Sequence, residues 1–117
     1  MKNIENNKLI AEFMGAEKTR IDGLNKDIYF PVNGKSVYDN KMEYHSSWDW
    51  LMPVVQKINV IDDYSYTIQI MSMDVEIYKN FNNKTVFQSE CKWQPDELLQ
   101  SVYEAVVEFI NWYNKNN

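Results

Sequence analysis

The chain has 117 residues, of which 44% are hydrophobic and 25% charged. Folding at this size hides roughly 65% of the unfolded surface, so one domain with one ordinary core is expected without a metal or disulfide. The net charge is -5 and Arg20 is the only arginine among 12 basic residues, which argues against a phosphate-backbone reader with its dense Lys/Arg face. The single cysteine, Cys91, excludes an intrachain disulfide and a multi-cysteine zinc site, and points to a reducing cytoplasm. No apolar run approaches the roughly 20 residues of a membrane span, and the opening "MKNIENNKLIAEF" has no signal-like apolar core. A cytoplasmic chain, neither exported nor embedded, is the expectation.

In chain order, Leu9, Ile10, Phe13 and Met14 fall on one edge of a helix over residues 5–14. Gly15 follows as a C-terminal cap able to take positive φ. Residues 16–43 carry a weaker pattern, in which "IYFPV" and "NGKSVY" read as a hairpin around Asn33-Gly34. Pro31 predicts that this ribbon lies at an edge. The irregular stretch from Thr19 to Asp27 is a candidate binding loop.

The segment "YHSSWDWLMPVVQKI" holds the only histidine, two serines and two of the four tryptophans. Ser46 is expected as the N-cap of a helix over 47–59, with Asp49 in the capping-box position and Tyr44 or His45 as a staple. Trp48, Leu51, Val55 and Ile58 then share its apolar face. Pro53 is discordant, because an interior proline removes a hydrogen bond and crowds the carbonyl of Asp49. Either the helix bends there or residues 48–52 form a separate turn.

Tyr66, Ile68 and Ile70 alternate with polar neighbours, and Val75 and Ile77 continue the period of two, giving half-buried strands. Asn82-Asn83 suits a hairpin turn between residues 75–79 and 85–89. The connection from Met71 to Asp74 reads equally as a tight turn or as a bulge in one long strand. Last comes the strongest helix signal. Pro95, Asp96 and Glu97 open it, and Leu99, Val102, Tyr103, Val106, Phe109, Ile110 and Tyr113 form its apolar face. Glu97, Gln100, Glu104, Glu108, Asn111 and Lys115 form the wet stripe.

Candidate chemistry is sparse. His45 beside Ser46 or Ser47, or with Cys91, would need a third group to orient the imidazole, and spacing supplies none. Asp62, Asp63 and Asp74 lack the spacing of a hard-cation loop. Tyr64, Tyr66, Tyr78 and Trp93 offer a stacking platform, although alternation sends about half of them inward. No catalytic residue, metal or cofactor is therefore expected. The chain reads as an α+β domain of three helices packed on an antiparallel three-stranded sheet, with the Asn-Gly ribbon at its edge.

"NKLIAEFMG", "YHSSWDWLMPVVQKI" and "EAVVEFINWYN" resemble signature blocks of small phage and prophage proteins, and more loosely the phage ABA sandwich domain. Residues 16–43 lack the aromatic-rich pattern of that family. The resemblance implies phage context and a fold, and assigns no catalytic residue. Its consequence is a non-enzymatic inhibitor of a host defence, of the anti-CRISPR type, acting on a host protein or nucleoprotein in the bacterial cytoplasm. Glu97, Glu104 and Glu108, or the first loop with Arg20 and Asp22, are the expected contact residues. A nucleotide or signalling-molecule sponge, a hydrolase using His45, Ser46 or Cys91, and a phage accessory or virion component are the alternatives.

Overall fold

A computed structural model of the chain describes residues 2–20, 23, 26–71, 74–90 and 97–116, and the side chains of all of these except Lys2, Ser89, Glu90 and Glu97. The order is α1 (Lys2–Phe13), β1 (Glu17–Arg20), β2 (Asp27–Val32), β3 (Lys35–Tyr38), a 3-10 turn (Asp39–Lys41), α2 (Trp48–Tyr64), β4 (Tyr66–Ile70), β5 (Asp74–Lys79), β6 (Thr85–Glu90) and α3 (Glu97–Asn116). The α+β class with three helices is as expected. The sheet count is corrected, because the Asn-Gly ribbon is not an edge of the main sheet. It gains β1 and forms a second antiparallel sheet, β1-β2-β3, beside β4-β5-β6.

β1 escapes a sequence reading because all four of its residues, Glu-Lys-Thr-Arg, are exposed and carry no apolar alternation. Only backbone pairing, from Glu17 opposite Phe30 to Arg20 opposite Asp27, makes it a strand. Thr19, Arg20 and Asp27 are thus ladder residues rather than parts of a binding loop. Pro31 lies in the central strand and not at an edge. It is tolerated there because β1 pairing stops at Phe30 and the β2–β3 register shifts between Tyr29 and Val32, so no ladder donor is needed from it.

α1 ends as its sequence indicates. The Ala16 N–H donates to the Ala11 carbonyl at 3.0 Å and the Gly15 N–H to that of Glu12 at 3.0 Å. Gly15 takes φ +96°, and these bonds satisfy carbonyls the helix end would leave open. The Lys57 ammonium adds a second cap, donating to the Phe13 carbonyl with its nitrogen 4.7 Å from the centre of the Phe13 ring. A cation at a helix C-terminus complements the dipole there.

The N-cap of α2 is Ser47, with extended φ/ψ of -139° and 124° and no side-chain cap bond, so the Ser46–Asp49 capping box does not form. The Ser47 carbonyl accepts from the Trp50 and Leu51 N–H groups at 3.2 and 3.1 Å. Tyr44 is buried and meets Trp50 edge-on with ring centres 5.1 Å apart. That contact fixes how the chain enters the helix. The buried face is Leu51, Val54, Val55 and Ile58. Trp48 leaves this face and stays 37% exposed.

Pro53 does not divide the helix, which runs through it without a break. Departures from helical φ/ψ come later, at Ile61, Asp62 and Asp63. Asp49 and Pro53 both face solvent, so water can take the carbonyl that lost its donor. At the far end Asp62, Asp63 and Tyr64 have φ of 53°, 58° and 64°, a left-handed run costing about 1–2 kcal/mol per residue.

β4 and β5 form a tight hairpin, closed by the Met71 N–H on the Asp74 carbonyl at 2.8 Å, and β5 pairs with β6. Tyr66, Ile68, Val75 and Ile77 point into the core, whereas Gln69 and Gln88 on the opposite face are exposed. Helices cover one face of this sheet, and the other meets water. α3 supplies the core's spine through buried Val102, Tyr103, Ala105, Val106, Val107, Phe109 and Ile110. Its Phe109 stacks on Tyr113 with ring centres 5.7 Å apart and meets Tyr66 edge-on at 5.0 Å. Pro95 and Asp96, expected to open this helix, lie outside the described residues.

Replacing Pro53 by alanine restores the bond to Asp49 without touching the core. The expected outcome is a gain of about 1 kcal/mol in urea unfolding, with an unchanged denaturant slope.

Candidate functional site

A buried polar cluster that joins α1, α3 and the segment before α2 centres on Asn7 of α1, which is 2% exposed. Its carboxamide oxygen accepts from the Tyr103 hydroxyl of α3 at 2.9 Å. Its nitrogen donates to the Met42 carbonyl at 3.2 Å and lies 2.9 Å from His45 Nδ1. The Met42 carbonyl can only accept, so it fixes which end of the amide is NH2. His45 Nδ1 is then the acceptor of the second amide hydrogen, and its ring proton sits on Nε2. Every hydrogen-bonding group of the amide facing this cluster is used.

His45 therefore belongs to a packing network. Its ring also meets the Tyr103 ring edge-on, centres 6.1 Å apart. Its hydrogen bond goes to Asn7, and neither Ser46 nor Ser47 is its partner. Cys91 and Trp93 lie outside the described residues. Asp62 accepts from the Tyr113 hydroxyl at 3.1 Å on both carboxylate oxygens. Among the described residues no group of three His, Cys, Asp or Glu side chains stands ready to hold a metal ion.

Tyr103 also reaches the surface feature that the network supports. Between the start of α1, the first half of α3 and β6 lies a hollow of about 340 Å³, lined by Asn3, Asn6, Phe87, Gln100, Tyr103, Glu104, Val107 and Glu108. Glu104 and Glu108 are four residues apart on α3, hence on one helical face, and both are exposed. Gln100 donates to Glu104 Oε1 at 3.2 Å. Carboxylates and carboxamides rim the hollow, while Phe87 and Val107 give it an apolar wall. Sequence reading found the two glutamates. It missed Asn3, Asn6 and Phe87, which come from distant segments and carry no shared periodicity.

The other expected contact residues stand elsewhere. Arg20 lies on β1 and pairs with Asp27 Oδ1 at 3.4 Å, where Lys8 of α1 also approaches Asp27 at 3.8 Å. Asp27 is 6% exposed, so its charge needs these partners, while the Arg20 side chain stays largely in solvent. Asp22 and the Glu97 side chain lie outside the described residues. The aromatic platform divides: Tyr66 is buried, Tyr78 is half-buried and Tyr64 is exposed.

Burial pushes Tyr103 and Tyr44 up to about 12. Burial, and then the carboxylates of Glu12, Asp27, Asp39 and Glu5, do the same for Tyr29. Among the described residues no helix is long and apolar enough to cross a membrane. Compared with protein-family models, with curated proteins and with solved structures, the chain matches none.

Asn7→Leu strands the Met42 carbonyl and removes the partner of His45 Nδ1. The expected loss is about 3 kcal/mol, since each orphaned buried polar group costs roughly 1–3 kcal/mol, measured by chemical unfolding. The raised tyrosines set a pH dependence as well. Folding favours their neutral form, so this stability is intact below pH 10 and is lost as pH rises from 10 toward 12. The thermal midpoint should fall across that window, and Tyr103→Phe should flatten the fall.

Proposed function

We propose that the chain is a non-enzymatic binding protein that seats a basic side chain of a host protein or ribonucleoprotein in the hollow between α1 and α3. The observation that carries this reading is the lining. Two carboxylates four residues apart face a guanidinium or ammonium, the carboxamide oxygens of Asn3, Asn6 and Gln100 are further acceptors, and Phe87 offers a ring for the cation. An arginine stem needs the apolar wall that Val107 and Phe87 supply. A phosphate-bearing nucleotide fits this rim poorly, because carboxylates repel it.

The net charge of -5 adds steering toward a basic nucleic-acid-handling partner. Combined with the phage resemblance of the three sequence blocks, this supports an inhibitor of a host defence of the anti-CRISPR type. Binding alone suffices for such a role. The hollow lies on α3, whose opposite face is buried in the core, and Gln100 donates to one of its carboxylates.

The test is plaque formation by a phage targeted by the host's own defence, in cells expressing the chain. Wild type is expected to restore plaques. Glu104→Lys with Glu108→Lys should cut the restoration at least about tenfold, in line with loss of charged interface pairs, while the unfolding midpoint stays near that of wild type. No restoration by the wild type, or full restoration by the double variant, would count against the reading.

A further inference from the structure

Both sheets end in edge strands, β1 and β3 in one, β4 and β6 in the other. An edge presents unpaired N–H and C=O groups that can take a further strand, and folded proteins blunt such edges with charged residues, shortness or a covering element. β1 is four residues long and carries Glu17, Lys18 and Arg20. β3 is also four residues long and opens with Lys35. On β4 the Ile68 N–H donates to Asn59 Oδ1 of α2 at 2.9 Å, so a helix side chain caps that edge.

β6 lacks these devices over most of its length. Its six residues, Thr85–Glu90, read TVFQSE, with no lysine, arginine or proline and no charge before Glu90. Its irregularity lies at the hairpin end, between the Ile77 and Tyr78 pairings. Beyond it Phe87, Gln88, Ser89 and Glu90 run opposite Ile77, Glu76, Val75 and Asp74 in unbroken register. Among the described residues no strand pairs with the other side of β6.

This open edge borders the acidic hollow. Phe87 stands opposite Ile77, which is buried in the core, so it belongs to the helix-covered face, and there it forms one wall of the hollow. A strand laid beside β6 would hold its Cβ atoms about 4.5–5.5 Å from their cross-strand neighbours. Every second side chain of that strand would then stand beside Phe87, next to Glu104 and Glu108. The ion pairs among the described residues involve neither glutamate, so both carboxylates remain to be met by a cation.

We propose that β6 takes an extended segment of a partner protein as a further strand and that a basic side chain of this segment enters the hollow. The proposal rests on the reading of the hollow as a seat for a basic side chain, and adds how that side chain is presented. Main-chain bonds to β6 supply affinity, and the alternate side chain supplies specificity. Charge selects this occupant over a second copy of the chain. Thr85–Glu90 brings no cation to the hollow, and pairing β6 with its own copy would set carboxylates against carboxylates.

The experiment selects displayed random peptides of roughly ten residues, long enough for one strand, on the immobilised full chain. Enriched peptides are expected to carry arginine or lysine among β-branched residues. The tightest of them, made synthetically, should slow amide hydrogen exchange within residues 87–90. Backbone N-methylation, one residue at a time, should weaken its binding at least about 10-fold at alternate residues and by less than about 3-fold at those between, because successive N–H groups of a strand point to opposite sides. Glu104→Lys with Glu108→Lys should weaken the same peptide at least about 10-fold.

No enriched peptide, an N-methylation scan without a period of two, or protection of residues 87–90 that grows with the concentration of the chain alone would overturn the proposal. A peptide that depends on the glutamates but shows no period of two removes strand addition and leaves the hollow as a seat for a basic side chain. A period of two in a peptide indifferent to the glutamates removes that seat and leaves the strand alone.

Discussion

Most of the architecture depends on one buried carboxamide. Asn7 joins α1 to α3 through Tyr103 and joins both to the segment before α2 through Met42 and His45. These elements are far apart in sequence, and hydrophobic packing alone does not tell them in which register to meet. A buried amide does, because its donors and acceptors tolerate neither rotation nor a slide of one helical residue without orphaning a group. The apolar core provides the drive to collapse, and Asn7 provides a specific geometry for it.

From that register follows the position of the hollow. Tyr103 has its hydroxyl on Asn7 and its ring at the hollow's wall, so the same residue that fixes the helices also places Glu104 and Glu108 against the start of α1. Asp27 and its partners, Lys8 and Arg20, tie the first sheet to α1 in a similar way. Carboxylates thereby gather near the middle of α3, beside Phe87 of β6.

The aromatic residues fall into two environments. Phe13, Tyr66, Phe109, Trp112 and Tyr113 form a set of edge-to-face and stacked pairs between 5.0 and 6.4 Å. Such pairs add roughly 0.5–1.5 kcal/mol each beyond burial. Tyr64 and Phe81 belong to neither the core nor this set. Their exposure is imposed by backbone: a left-handed run at one, an asparagine-bonded turn at the other.

By itself the sequence determined what depends on periodicity and local chemistry. The apolar face of α3, the Gly15 cap, the Asn82-Asn83 hairpin and the pairing of Glu104 with Glu108 on one wet stripe were all legible, because residues 2, 3 or 4 apart report directly on a strand or a helix face. β1 was not legible, since its four exposed residues are a strand only by pairing with β2. Nor was the shift of the α2 cap to Ser47, where Tyr44 meets Trp50, or the continuity of α2 through Pro53, whose freed carbonyl partner Asp49 faces solvent. Tertiary structure alone decided the rest. His45, expected as a staple before α2, is a hydrogen-bond partner of Asn7, 38 positions away. Asn3, Asn6 and Phe87 met Glu104 only once the helices had packed. A hollow of this kind is a property of side chains brought together across the chain, and no local period encodes it.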